Sequence, residues 1–99
     1  MKERPAKVRE AAEALAVQAL SYIAADGERL GRFLSLTGIG PAEIRTAARE
    51  PGFLAGVLEY LAGDERLLTD FAKEAGHDPS TVEAARVALG GSSWERDIP

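Results

Sequence analysis

The feature that most limits how this chain can fold is a correspondence with itself. Residues 22–47 lie on residues 60–85 at an offset of 38, without a gap. Tyr22 meets Tyr60, Ala24 meets Ala62, Asp26 meets Asp64 and Leu30 meets Leu68. Phe33 then meets Phe71, Gly38 meets Gly76, Pro41 meets Pro79 and Ala47 meets Ala85. These eight identities exceed the roughly 2–3 that an alanine-rich chain gives by chance at one offset, which is the mark of an internal repeat. Each copy predicts three helices: a longer one, a shorter one ended by glycine, and a short one opened by proline. Two copies are too few for a solenoid. The expectation is two units, about 15–49 and 53–89, packed together about a pseudo-twofold axis with Phe33 and Phe71 in equivalent core places. The alternative is that both halves obey the same capping grammar without structural equivalence.

Helices are what the side-chain periodicity supports, and no strand pattern appears. Val8, Ala12, Leu15, Ala19, Tyr22 and Ile23 recur at steps of three and four, the stripe of a helix over about 5–25. Pro5 suits its first turn, where a missing N–H costs nothing. Asp26 is placed to cap a second helix bearing Leu30, Phe33, Leu34 and Thr37, and Gly38 to end it. Pro41 opens a third with Ile44, Ala47 and Ala48 inward. Pro51 opens a fourth with Leu54, Val57, Leu58 and Leu61 on one side. Gly63 stops that helix and Asp64 caps a fifth, carrying Leu67, Leu68, Phe71, Ala72 and Ala75. Gly76, Asp78 and Pro79 repeat the stop-cap-start sequence ahead of Val82, Ala85 and Leu89. The fold class expected is therefore all-α, a compact bundle of about six helices forming one domain over 1–89. Gly90-Gly91-Ser92-Ser93 reads as a flexible break before a tail, 90–99, in which Trp94 either docks on the bundle or stays free as a short contact site.

Composition narrows the function classes. A chain of 99 residues closes about one core. No cysteine is present, so thiolate nucleophiles, thiolate metal sites and disulfides are excluded, which fits a cytoplasmic location. No apolar run reaches the roughly 20 residues of a membrane span. A formal charge of −4 argues against a dedicated nucleic-acid binder, although a local patch could be basic. His77 is the one histidine, so a two-histidine metal site is excluded, and a loop histidine beside a cap is expected to be solvated. Asp26/Glu28 and Asp64/Glu65 stand at helix starts, where capping and the helix dipole account for them. With no nucleophile, base or phosphate cradle beside them, no catalytic residue and no cofactor is expected.

Leu36-Thr37-Gly38-Ile39-Gly40-Pro41 resembles the hairpin of helix-hairpin-helix DNA-binding proteins. The resemblance implies a Gly-x-Gly turn offering backbone N–H groups to a phosphate. The chain departs from it at Thr37, where proline is usual, at Ile44, where a small residue is usual, and at Ala42 and Glu43, where cations would be. In the second copy Asp78 takes the place of Gly40, so the plainer reading is helix stop, spacer, N-cap and first turn. Arg45 and Arg49 share the solvent side of the third helix, Arg29 and Arg32 share a side of the second, and Lys2, Arg4, Lys7 and Arg9 cluster near the start. Gly38, Gly40, Arg45 and Arg49 are thus the candidates for contact with a partner or an anion. Local pairs such as Arg9–Glu13 are the ordinary explanation for such charges.

A broader likeness rests on Ala12-Glu13-Ala14-Leu15-Ala16, Gln18-Ala19-Leu20, Gly31-Arg32-Phe33-Leu34 and Leu36-Thr37-Gly38. It continues in Phe53-Leu54-Ala55-Gly56-Val57-Leu58, Asp64-Glu65, Leu67-Leu68 and Phe71-Ala72. Across about 10–89 the chain resembles an uncharacterised alphaproteobacterial family of small helical proteins, a domain of unknown function. That resemblance implies a capping residue at the Gly40 place and no activity to inherit. The expectation for function is a non-enzymatic interaction or regulatory module with a protein partner. The competing expectation is helix-hairpin-helix-like nucleic-acid binding through Gly38–Gly40.

Overall fold

A computed structural model describes residues 5–91. Helix α1 spans Pro5–Ala24 and α2 spans Gly27–Thr37. A 3-10 turn over Pro41–Glu43 leads into the four-residue α3, Ile44–Ala47. Then follow α4 over Pro51–Ala62, α5 over Glu65–Ala75, α6 over Pro79–Arg86 and a π turn over Val87–Gly91. No strand occurs among the described residues. The all-α expectation holds, and so do the helix junctions, because they are set by local chemistry. Asp26 Oδ1 accepts the Glu28 N–H at 3.0 Å and Asp64 Oδ1 accepts the Leu67 N–H at 3.1 Å. Each satisfies one of the donors that a helix start leaves without a partner. Gly38 and Gly76 both sit at φ 76°, the left-handed conformation that closes a helix and that glycine adopts without strain.

Helices of 11 or 12 residues such as α2, α4 and α5 are marginal alone in water, so packing must hold them. The pair α1 and α4 forms the middle of the bundle, and α6 lies against both. The α1 stripe is narrow and small: Ala12, Leu15, Ala16, Ala19 and Ile23 are buried, and the alanines let neighbouring backbones approach. Ala16, one step off the expected stripe, is fully buried, whereas Val8 is 39% exposed at the bundle's edge. Val57, Leu58 and Leu61 bring the α4 face inward, and Val82 and Ala85 that of α6.

Two buried phenylalanines organise this core. Phe33 of α2 meets the Tyr60 ring of α4 edge-on, with centroids 5.0 Å apart at 83°. Phe71 of α5 meets the Tyr22 ring of α1 at 5.6 Å and 58°. Under the offset of 38 these two contacts exchange with one another, each unit's phenylalanine resting on the other's tyrosine. The third elements differ. Helix α6 is built into the bundle, while Ile44, Ala47 and Ala48 are only half-buried and the Pro41–Ala47 segment packs more sparsely. At the far end the helical backbone runs past the expected stop at Leu89 to Gly91, and a Cβ at Gly90 would stand 3.0 Å from that of Ala55. Trp94 and the rest of 92–99 lie outside the described residues.

Truncating either ring should cost about 3–5 kcal/mol, the loss expected for a buried phenylalanine. Phe33→Ala and Phe71→Ala are therefore expected to lower the urea midpoint sharply. Leu36→Ala, on the exposed side of α2, should stay within about 0.5 kcal/mol of the parent. A small effect at both phenylalanines would show that the core is held elsewhere.

Candidate functional site

Three surfaces present more than a solvated helix face. The first is the turn that joins α2 to the 3-10 segment and holds the candidates Gly38 and Gly40. Every backbone donor in it is occupied. Gly38 N–H reaches Leu34 O at 2.9 Å, Ile39 N–H reaches Thr37 Oγ1 at 3.4 Å and Gly40 N–H reaches Glu43 Oε1 at 3.3 Å. The Glu43 carboxylate thus stands where a phosphate would have to sit, and like charges repel. The helix behind the turn is a three-residue 3-10 turn followed by four residues of α3, too short to build an appreciable dipole. Gly38 and Gly40 therefore act as a helix stop and a helix start. Arg45 and Arg49 are exposed and make no ion pair among the described residues, but no donor at the turn joins them.

The junction that aligns with it at the offset of 38, Gly76 to Pro79, is wired differently. Asp78 Oδ1 accepts from both the backbone N–H and the hydroxyl of Ser80, each at 3.0 Å. Those bonds stabilise the charged form and hold the Asp78 carboxyl below its ordinary value. His77 is half-buried, with Nε2 at 2.9 Å from Gln18 Oε1 and its ring 6.4 Å from that of Phe71. It ties the α5–α6 junction to α1, in place of the solvated position expected from sequence.

The second surface is a shallow depression where α2 meets the α4–α5 junction, lined by Arg32, Leu36, Tyr60, Asp64 and Arg66. Leu36 is 70% exposed. Arg32 and Arg66 make no ion pair among the described residues, and neither does Glu65, which also lines the depression, whereas Asp64 and the nearby Arg29 are engaged. Asp64 is the α5 cap. Arg29 donates through Nη2 and Nε to Tyr22 O at 2.8 and 3.3 Å, and its guanidinium lies 4.0 Å over the Tyr22 ring. It completes the end of α1 by satisfying a last-turn carbonyl, and so is withdrawn from the Arg29/Arg32 pair read from sequence. The sequence reading missed this depression. Its one signal was Leu36, an apolar residue off the α2 stripe of Leu30, Phe33 and Leu34.

The third surface is an apolar groove between α1 and α6, lined by Val8, Ala11, Ala12 and Leu15 on one side. Thr81, Ala84, Ala85 and Ala88 line the other, with His77 at one end. Nearby, Arg86 bridges helices: Nη1 reaches Glu59 Oε2 of α4 at 3.0 Å, while Nε and Nη2 engage Glu83 on α6 itself. The pairing raises the Arg86 guanidinium above its ordinary value and lowers that of the Glu83 carboxyl. Among the described residues no three His, Cys, Asp or Glu side chains are grouped to hold a metal ion. No described helix is long and apolar enough to cross a membrane.

Comparison with known proteins gives one family. The model of DUF3572, described as a protein of unknown function, matches residues 9–92, and the chain belongs to that family. No curated protein and no solved structure matches it. The matched span takes in all three surfaces apart from Val8 at the edge of the groove.

Two outcomes follow from the junctions. Gly40 lies at φ −75°, ψ 151°, open to any residue, and its Cβ would only touch the flexible Glu43 carboxylate. Gly40→Ser supplies the missing cap oxygen and should raise stability by about 0.5–1 kcal/mol in thermal or urea unfolding. Asp78 and Glu83 have folded values below their unfolded ones, so the stability they confer is present above 3.8 and 4.5. It is lost as pH falls through the lower folded values. Asp78→Asn keeps the cap but removes the titration, and should flatten the acid limb of a melting-temperature profile as pH falls below 3.8.

Proposed function

We propose that this DUF3572 protein is a non-enzymatic module that acts by contact with another protein, through the depression around Leu36. The observation that carries this reading is the exposure of Leu36 beside Tyr60 and two arginines, Arg32 and Arg66, that make no ion pair among the described residues. An aliphatic side chain with an aromatic ring and free guanidinium groups is the composition found at the centres of protein interfaces. The folded chain gains little from Leu36 at this position, since most of it stays in water. A partner surface with carboxylates around an apolar side chain is the complement, because the arginines can pair with carboxylates as the leucine is covered.

The reading is non-enzymatic because the perturbed groups already have structural employment. Asp78 caps α6, and Glu83 and Arg86 pair across its surface. The offset-38 correspondence is taken here as a structural repeat, supported by the exchanged Phe33–Tyr60 and Phe71–Tyr22 contacts. In that reading the difference between the copies matters, since Arg32 and Leu36 of the first copy align with Asp70 and Glu74 of the second. The first copy then contributes Arg32 and Leu36 to the surface, while Tyr60 and Arg66 come from the second. Nucleic-acid binding at Gly38–Gly40 has no comparable support, given that the turn's donors are all engaged.

Affinity capture with the intact protein from its native extract tests this. A specific partner should be retained by the parent and lost, at unchanged melting temperature, with Leu36→Gln or Arg32→Glu. No specific partner, or one that both variants still bind, removes the reading. DNA binding at low salt that weakens on replacing Arg45 and Arg49 with alanine would transfer the function to the other class.

A further inference from the structure

We infer that the protein forms a twofold dimer in which the depression around Leu36 closes against the same depression of a second molecule. The inference rests on the reading of that depression as a contact surface, and it names the occupant. It begins with what lines the two walls. Along α2, Glu28, Arg32 and Leu36 follow one another at steps of four and are all exposed, so they form one outward row. Across the depression stand Tyr60, Asp64, Glu65 and Arg66 of the α4–α5 junction. Toward Glu28 the depression continues into an adjoining recess, which shares Arg32, Tyr60 and Asp64 with it.

The charges on these walls carry both signs. Glu28, Arg32, Glu65 and Arg66 make no ion pair among the described residues. Glu65 and Arg66 are consecutive on α5, and consecutive helical side chains do not face each other. A uniformly acidic partner would satisfy Arg32 and Arg66 but would set its carboxylates against Glu28 and Glu65. A uniformly basic one would do the reverse. The surface that offers carboxylates and guanidiniums around an apolar side chain, as this one requires, is this surface itself.

Twofold symmetry asks for that mixture. In an isologous contact every residue i that meets j is matched by j meeting i, so the patch must carry both members of each pair. With the axis through the depression, the α2 wall of each molecule is set against the α5 wall of the other. Arg32 then meets Glu65 of the other molecule, and Arg66 meets Glu28. Leu36, 70% exposed in one molecule, is covered at the centre beside Tyr60 of the other. Built from two short walls, the contact belongs with weak, reversible encounters. A different protein at the same depression has to compete with it.

Sedimentation velocity of the intact purified protein, from about 1 μM to about 1 mM, tests this. The mass should rise with concentration from that of one chain toward that of two, and no further. Leu36→Gln, Arg32→Glu and Glu65→Arg should each weaken association about tenfold or more, at unchanged circular dichroism. An equimolar mixture of Arg32→Glu and Glu65→Arg should restore a mixed dimer, because one Arg32–Glu65 contact is then native and the other inverted. A parent protein that stays a single chain at the highest concentration overturns the inference. So does association that the three variants leave intact, a mixture that stays monomeric, or growth into longer chains, which a head-to-tail contact would give. Leu36-dependent capture of another protein by a chain that stays monomeric sinks the dimer and leaves the proposed function standing. Leu36-dependent dimers with no other protein captured do the opposite.

Discussion

The structure depends on two ring contacts that cross between its halves. Phe33 rests on Tyr60 and Phe71 rests on Tyr22, so neither half can bury its own phenylalanine alone. Such tilted and edge-on pairs add about 0.5–1.5 kcal/mol each to the burial of the rings. Their larger effect is geometric, because they fix α2 against α4 and α5 against α1. Tyr22 then carries a second duty. Its carbonyl and ring hold the Arg29 guanidinium, so the α1–α2 junction is set by the same residue that receives Phe71. Core and junction are thus one construction.

Around that reciprocal pair the two halves diverge, and the divergence shapes the surface. The second half has a side-chain cap at Asp78, an eight-residue α6 and a guanidinium bridge from Arg86 to Glu59 on α4. Its third element is built into the bundle and forms one wall of the alanine groove. The first half has Gly40 in the capping place and a 3-10 turn with a short α3, half-buried and sparsely packed. The exposed Leu36 and the arginines of the depression lie on the side where the core makes few demands. Such a region can vary in chemistry without loss of the fold.

The helix junctions were legible because capping acts within a few residues. Asp26, Asp64 and Asp78 each bond a backbone N–H two or three positions ahead, and Gly38 and Gly76 close helices by their own φ. Gly38-Ile39-Gly40-Pro41 was decided by the same local rule. Glu43, three residues past Gly40, takes the N–H that a phosphate would need. Periodicity also found nearly all of the core, missing Ala16 and overvaluing Val8, since a stripe of alanines defines a helix face less sharply than larger side chains do.

What the sequence determined by itself was the all-α class, the places where helices start and stop, and the two phenylalanines that must be buried. Each rests on interactions confined to one helix or one turn. Only the tertiary structure decided that Arg29 is committed to Tyr22 while Arg32 is left to the surface. It also decided that His77 meets Gln18, and that α1 and α6 face each other through alanines. Those outcomes join residues as many as 59 positions apart. Such pairings follow from how whole helices are set against one another, an arrangement governed by the exchanged ring contacts and by which small residues allow close approach.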